Sequence, residues 1–264
     1  SLYMLAVIYY EGKYIKRNIN EALKYLTISS EKENRKAQLF LADLYFEGKH
    51  VKKDIQKACH LYKEVSCFYN QYAKNNLGII YKKGFGVFEQ NYVLSAEYFK
   101  EAIKLKQDAL SKFNLANLML DEAKNANECD YCSIKKLLLE SFSVDFQPAG
   151  VLFCLLLIKQ NKIINLQVIQ DELKKLNMES KALSLRILSI LFDFKNSDYF
   201  FIEKTYHDLR TTDFVYIYYQ AYSLRDLDER QENHADSCEG YSNITSINEH
   251  FYEGFGYDLY QLIK

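Results

Sequence analysis

The sequence predicts an all-α fold: a right-handed α/α solenoid of antiparallel helix pairs whose later repeats are degenerate. Three observations carry that prediction. Apolar residues recur at helical spacing along most of the chain. One helix face returns at a step of thirty-six residues, in Leu5, Leu41 and Leu77, in Tyr9, Tyr45 and Tyr81, and in Gly12, Gly48 and Gly84. A single proline, Pro148, and the absence of tryptophan suit long helices interrupted mainly by glycine and asparagine.

The first helix of each unit comes first. In the second copy Ala37, Leu41, Leu44 and Tyr45 share one face by the i, i+4, i+7, i+8 rule. Ala37, Ala73 and Ala109 keep the same step at the head of each unit, and Ala6, Ala42 and Gly78 keep a second slot small so that a neighbouring helix can approach. A leucine in that slot would overpack. Gly12, Gly48 and Gly84 follow the helix, where a left-handed residue closes a C-terminus at least steric cost. Ile15, Val51 and Val87 are expected to pin the loop to the core.

The second helix opens at Asn18, Asp54 and Asn91, residues whose side chains accept bonds from free backbone N–H groups. Glu21 has the spacing of a capping box with Asn18. Ala22, Ala58 and Ser95 are its small contacts, with Tyr25, Leu61 and Tyr98 one turn on, and the third copy carries one extra loop residue. Residues 1–108 thus read as three well-matched repeats, the first lacking its opening turn, as a fragment of a longer chain would.

From residue 109 to 227 the helical pattern persists while the consensus decays. "ALSKFNLANLML" keeps a first-helix face, but "DEAKNANECDYCS" replaces the glycine loop. Further helices are predicted at 133–143, 148–160, 165–177, 179–194, 198–210 and 212–227. Residues 228–264 form a polar loop and C-terminal segment, where Gly254-Phe255-Gly256 echoes Gly84-Phe85-Gly86.

The pattern small–x3–Leu–small–x2–Tyr–x2–Gly, a loop aliphatic, an Asp/Asn cap and Ala–x2–Tyr resembles the Sel1-like repeat family. Those repeats are α/α solenoid units related to tetratricopeptide repeats. A plain tetratricopeptide array explains the helices but not the period or the glycine loop, and pentatricopeptide RNA binders carry a proline and basic stripe absent here. The resemblance implies a non-catalytic adaptor or scaffold that binds a protein or peptide segment. The alternative it leaves is a structural or regulatory arm of a larger protein, such as a kinase, with no groove of its own. The Cys59–Cys67 spacing resembles the disulfides of cysteine-rich members, although it occurs once and not in every repeat.

Bulk chemistry narrows the remaining classes. A net charge of −1 argues against general affinity for nucleic acid or acidic membrane. The longest apolar run, Ala149 to Ile158, is half of the roughly 20 residues a spanning helix needs. Six irregularly spread cysteines in a chain of 264 residues favour reduced thiols in the cytoplasm, with the endoplasmic-reticulum lumen as the lesser alternative. Cys129-x-x-Cys132 has metal-ligand spacing, but nothing completes four ligands, so no metal, cofactor or catalytic residue is assigned and the cysteines read as loop or buried thiols. A thiol-dependent or hydrolytic enzyme is the remaining, disfavoured class. His50, His60, His207, His234 and His250 fall in no nucleophile or zinc motif.

Positions that vary between copies locate the expected partner surface. Tyr3, Val7 and Tyr10, then Leu39, Asp43 and Phe46, then Asn75, Ile79 and Lys82 are i, i+4, i+7 triplets, roughly opposite the constant Leu41/Leu44/Tyr45 face. In solenoids the first helices line the concave surface, where aromatic anchors hold extended or helical segments. The competing expectation is that Tyr10 and Phe46 pack on a neighbouring helix or the following loop. Lys24, Lys53, Lys57 and Lys63 read as the solvated outer face.

Overall fold

A computed structural model describes residues 1–67, 70–85, 88–106, 108–123, 128–159, 166–195 and 199–211. Among them there are twelve α-helices and no strand. The predicted helix at 212–227 and the tail to residue 264 lie outside the described residues, as do the side chains of Val87 and Cys129.

The chain divides into two compact units. The first holds α1 (Leu2–Glu11), α2 (Ile19–Glu31), α3 (Arg35–Glu47), α4 (Ile55–Ser66), α5 (Gln71–Lys83) and α6 (Tyr92–Lys106), each packed on the next. Asn34 and Asn70 cap α3 and α5 by accepting from the N–H groups of Ala37 and Ala73; Asn18, Asp54 and Asn91 cap α2, α4 and α6 in the same way. α1, α3 and α5 exit through Gly12, Gly48 and Gly84 at φ 71°, 77° and 64°. The loop then returns, and the N–H of each following cap residue donates to the carbonyl of Tyr9, Tyr45 or Tyr81 at 2.8–3.0 Å. Carbonyls left over at the helix end are thereby satisfied. The Asn18 N–H is consumed in that bond, so the cap works one way and the expected capping box is not completed.

The repeated tyrosines have a packing role. Tyr9 stacks on Tyr25 and Tyr81 on Tyr98, each with ring centres 5.7 Å apart, locking first helix to second. Gly78 is small because a Cβ there would sit 2.6 Å from the Phe99 ring. Ile15, expected to pin its loop, is 39% exposed and does not.

The second unit holds α7 (Ala109–Glu122), α8 (Glu128–Ser143), α9 (Gln147–Lys159), α10 (Leu166–Lys175), α11 (Lys181–Lys195) and α12 (Tyr199–Thr211). α8 starts five residues before its predicted position, so part of the expected "DEAKNANECDYCS" loop is helix. The cap of α7 resets the repeat register. Asp108 accepts from the Ser111 N–H as Asn70 does from Ala73, so the step here is thirty-eight residues and Ser111, not Ala109, heads the unit. Leu115, Ala116 and Leu118 then match Leu77, Gly78 and Ile80, and Glu122 stands where Gly84 stood. Lacking the left-handed glycine, α7 ends at Ala123 with φ −76°.

Candidate functional site

In the first unit α3 and α5 are enclosed. α3 buries nine of its residues and α5 ten, against four on α2 and three on α6. Lys24 on α2 and Lys57 and Lys63 on α4 are exposed, with their ammonium groups over the rings of Tyr25, Tyr45 and Tyr81. Lys53, grouped with them from sequence, belongs instead to the loop before Asp54.

All nine stripe residues are buried in this structure: Tyr3, Val7 and Tyr10 on α1, Leu39, Asp43 and Phe46 on α3, and Asn75, Ile79 and Lys82 on α5. Their aromatic ends meet neighbouring repeats. The Tyr10 ring lies edge-on to Phe40, at 4.9 Å, and to His50, with the Arg17 guanidinium above it. Phe46 contacts Tyr62 and Phe85 edge-on, and the Lys53 ammonium lies over both Phe46 and Phe85. Packing on a neighbouring helix or a loop was the expectation that competed with a groove in the sequence reading.

The stripe is unusual in its polarity. Asp43 is 1% exposed and Asn75 fully buried. Tyr62 of α4 donates its hydroxyl to Asp43 Oδ1 at 2.6 Å, and Asn75 Nδ2 donates to Asn76 Oδ1 at 3.3 Å. Burial, and then the Asp43 carboxylate, push the Tyr62 hydroxyl well above its ordinary range. Burial also raises Tyr10. At the loop end, burial and then Arg17 and Lys49 lower His50, while burial and then Lys82 and Lys53 lower Lys83. Between the second and third repeats a cleft of about 730 Å³ is lined by Tyr45, Val51, Lys53, Lys57 and Phe85. Tyr62 and Asn76 escaped the sequence reading. For Tyr62 the signal would have been a polar side chain facing Asp43 from the next helix, which spacing along a single helix does not reveal.

The described cysteines are free thiols. Cys59 is buried and Cys67, at the end of α4, is exposed; both are free thiols, so the bridge suggested by their spacing is not formed. Burial raises Cys59 and pushes Cys154 far up, which keeps both as neutral thiols. Cys132, expected as a loop or buried thiol, is exposed on helix α8. Among the described residues no three His, Cys, Asp or Glu side chains come together as a metal site, and no helix is long and apolar enough to cross a membrane.

In the second unit α12 packs on α9 and reaches α7. Arg210 donates to the Asn117 carbonyl at 2.7 Å, to Asn117 Oδ1 at 2.8 Å and to the Asp121 carboxylate. Asn117 Nδ2 donates to the Leu209 carbonyl at 2.9 Å. Lys159 of α9 lies 3.1 Å from the Glu203 carboxylate and 4.0 Å from the centre of the Tyr206 ring. Sequence reasoning placed a helix at 198–210 but could not find this clamp, whose partners are some ninety residues apart.

No curated protein gives a significant sequence match. Among solved structures, the chain is similar to a Sel1 repeat protein from Oxalobacter formigenes at 27% identity, covering 43% of this chain and 84% of that one with a TM-score of 0.40. It is also similar to a protective antigen of uropathogenic Escherichia coli strains displaying an SLR fold. That match has 15% identity and a TM-score of 0.56, and covers 86% of this chain and 50% of the antigen chain. The chain thus spans half the length of that antigen and shares its solenoid fold. The Sel1 repeat signature matches residues 1–34, 35–64 and 71–106. The first unit is thus similar to three consecutive Sel1 repeats.

Proposed function

We propose that this protein is a non-catalytic adaptor whose first unit docks a partner protein segment on the odd-helix face of α1, α3 and α5. Sel1 repeats in general serve protein–protein interaction, which supports the coarse reading. The observation that carries the finer one is the buried polarity of the stripe. Stacking of repeats needs only apolar and small residues there, yet Asp43, Asn75 and Lys82 occupy it. Buried polar groups cost stability unless paired, and they confer directional recognition when they exchange partners.

Because the nine side chains are buried, docking proceeds by exchange: the partner takes over contacts that they now make within the chain. Tyr10, Phe46, Leu39 and Ile79 supply apolar contact, and Asp43, Asn75 and Lys82 fix orientation. The cytoplasm is the proposed compartment, in keeping with the free thiols.

Near-isosteric variants test this without opening cavities. Asp43→Asn and Lys82→Gln, matched to wild type in helicity and melting, serve as baits beside wild type in crosslinked pull-downs. Loss of a captured protein by the variants, and its return with an Asp43→Glu bait, supports the stripe. Equal capture by all baits would leave only a spacer role for the repeats.

A further inference from the structure

We propose that the α7/α9 face of the second unit is a helix-binding site, and that α12 is its resident, displaceable ligand. Its position is read from the register of the first-unit stripe, but its contacts and its test belong to the second unit.

The cap hydrogen bonds place the site. Asp108 aligns α7 with α5, and Asn70 and Asn34 align α5 with α3. In that register Asn117 falls on the position of Ile79, Asp43 and Val7, the middle of the stripe that sequence variation marks as a partner surface. In the second unit that position is in contact with a helix. Arg210 engages both oxygens of Asn117 and then Asp121 one turn on, while Asn117 returns a bond to the Leu209 carbonyl. A guanidinium fork matched to an amide and a carboxylate is directional recognition, of the kind that selects arginine over lysine. The second anchor is α9, where Lys159 meets Glu203 and Tyr206.

The described part of the seat, Glu203 to Arg210, is held by directional contacts. Over residues 203–210 only Thr205 and Leu209 are buried, whereas α9 buries ten residues. Part-exposed ion pairs such as Lys159–Glu203 exchange partners at lower cost than enclosed ones. The contacts also spell out the competing ligand. It is a helix of a partner protein carrying an arginine, a leucine just before it, an aromatic four residues before it and a carboxylate seven residues before it, as in Glu203, Tyr206, Leu209 and Arg210.

A fluorescein-labelled peptide of sequence Tyr199–Thr211 is the probe, titrated into the full chain by anisotropy. Wild type binds it weakly because α12 competes in cis. Arg210→Ala in the chain lowers that competition, and the apparent affinity rises roughly tenfold or more. A peptide carrying Arg210→Glu loses binding to this chain but regains it on a chain carrying Asp121→Arg, whose own α12 is repelled. Equal affinity of the wild-type and Arg210→Ala chains for the peptide, with both melting cooperatively, overturns the proposal. If Arg210→Ala fails to fold, the charge-swapped pair decides alone: an Asp121→Arg chain that does not prefer the Arg210→Glu peptide overturns it.

Discussion

The two units hold their helices together by different means. In the first, the connections between helices are local and periodic: an asparagine or aspartate cap, a left-handed glycine, a return bond to a tyrosine carbonyl, stacked rings. In the second, the described helices are also joined by ion pairs that follow no repeat. Lys112 reaches Glu140 at 2.9 Å from α7 to α8, Lys135 reaches Glu172 at 3.1 Å from α8 to α10, and Arg210 reaches Asp121 from α12 to α7. A glycine loop sets the geometry of a pair by itself, so it must recur in every unit. A charge pair sets only its own contact, so it leaves no period behind. The consensus fades where the means of connection change, while the helices continue.

The largest expected effect separates these two means. Lys135 and Glu172 are both nearly enclosed, at 7% and 9% exposure. Glu172→Ala takes the paired carboxylate from the buried Lys135 ammonium and is expected to cost about 3–5 kcal/mol. Glu101 of the first unit also pairs across helices, with Lys74, but is 57% exposed. Glu101→Ala is expected to cost about 0–1 kcal/mol. Urea denaturation of both variants reads the difference, and comparable losses would mean that ion pairing does not distinguish the units.

Smaller, and specific to the first unit, is the glycine exit. Gly48 has φ 77°, and a Cβ there would lie 2.8 Å from that of Lys53. The left-handed conformation alone makes Gly48→Ala cost about 1–2 kcal/mol, and the contact adds to it. At Glu122, the same register position on α7, the backbone is helical. Glu122→Ala therefore carries no such penalty, and thermal melts of the pair should differ in that direction. If the two variants melt alike, the glycine exit is not what sets the loop of the first unit.

What the sequence made legible follows the same division. Leu41, Tyr45, Gly48 and Asp54 announce their roles because each acts on residues within a turn or one loop. Copies of that arrangement then rise above chance. The position of α12 was legible as a helix but its seat was not, since Arg210 and Asn117 meet through the fold and carry no spacing rule. Register slipped at Ala109 for a related reason: a lengthened loop and a longer α6 shift the unit by two residues, and only the Asp108 cap shows it. The stripe residues were found as a variable set, but that set alone does not say whether variation reflects a partner or a change of neighbours. Tyr10 on Phe40 and Phe46 on Phe85 supply the neighbours.

The smallest effect expected is also the most local, and it concerns the α3–α4 loop of the second repeat, where it meets Tyr10 of the first. His50 has φ 62° and sits against Tyr10 with the Arg17 guanidinium 3.4 Å from its Nε2. Burial, Arg17 and Lys49 hold its pKa below the ordinary 6.5. The folded chain therefore releases this proton more readily than the unfolded one. As pH falls from about 6.5 toward the lower folded value, the unfolded state gains the proton first and stability declines; below the folded value the loss is complete. His50→Asn keeps a residue that tolerates the left-handed backbone and removes the titration. Between pH 7 and pH 5 the variant should lose less stability than wild type, the carboxylates contributing equally to both. Parallel pH profiles would show that Arg17 and Lys49 are too well solvated to act on this ring, and that the cations of the glycine loops behave as independent surface charges.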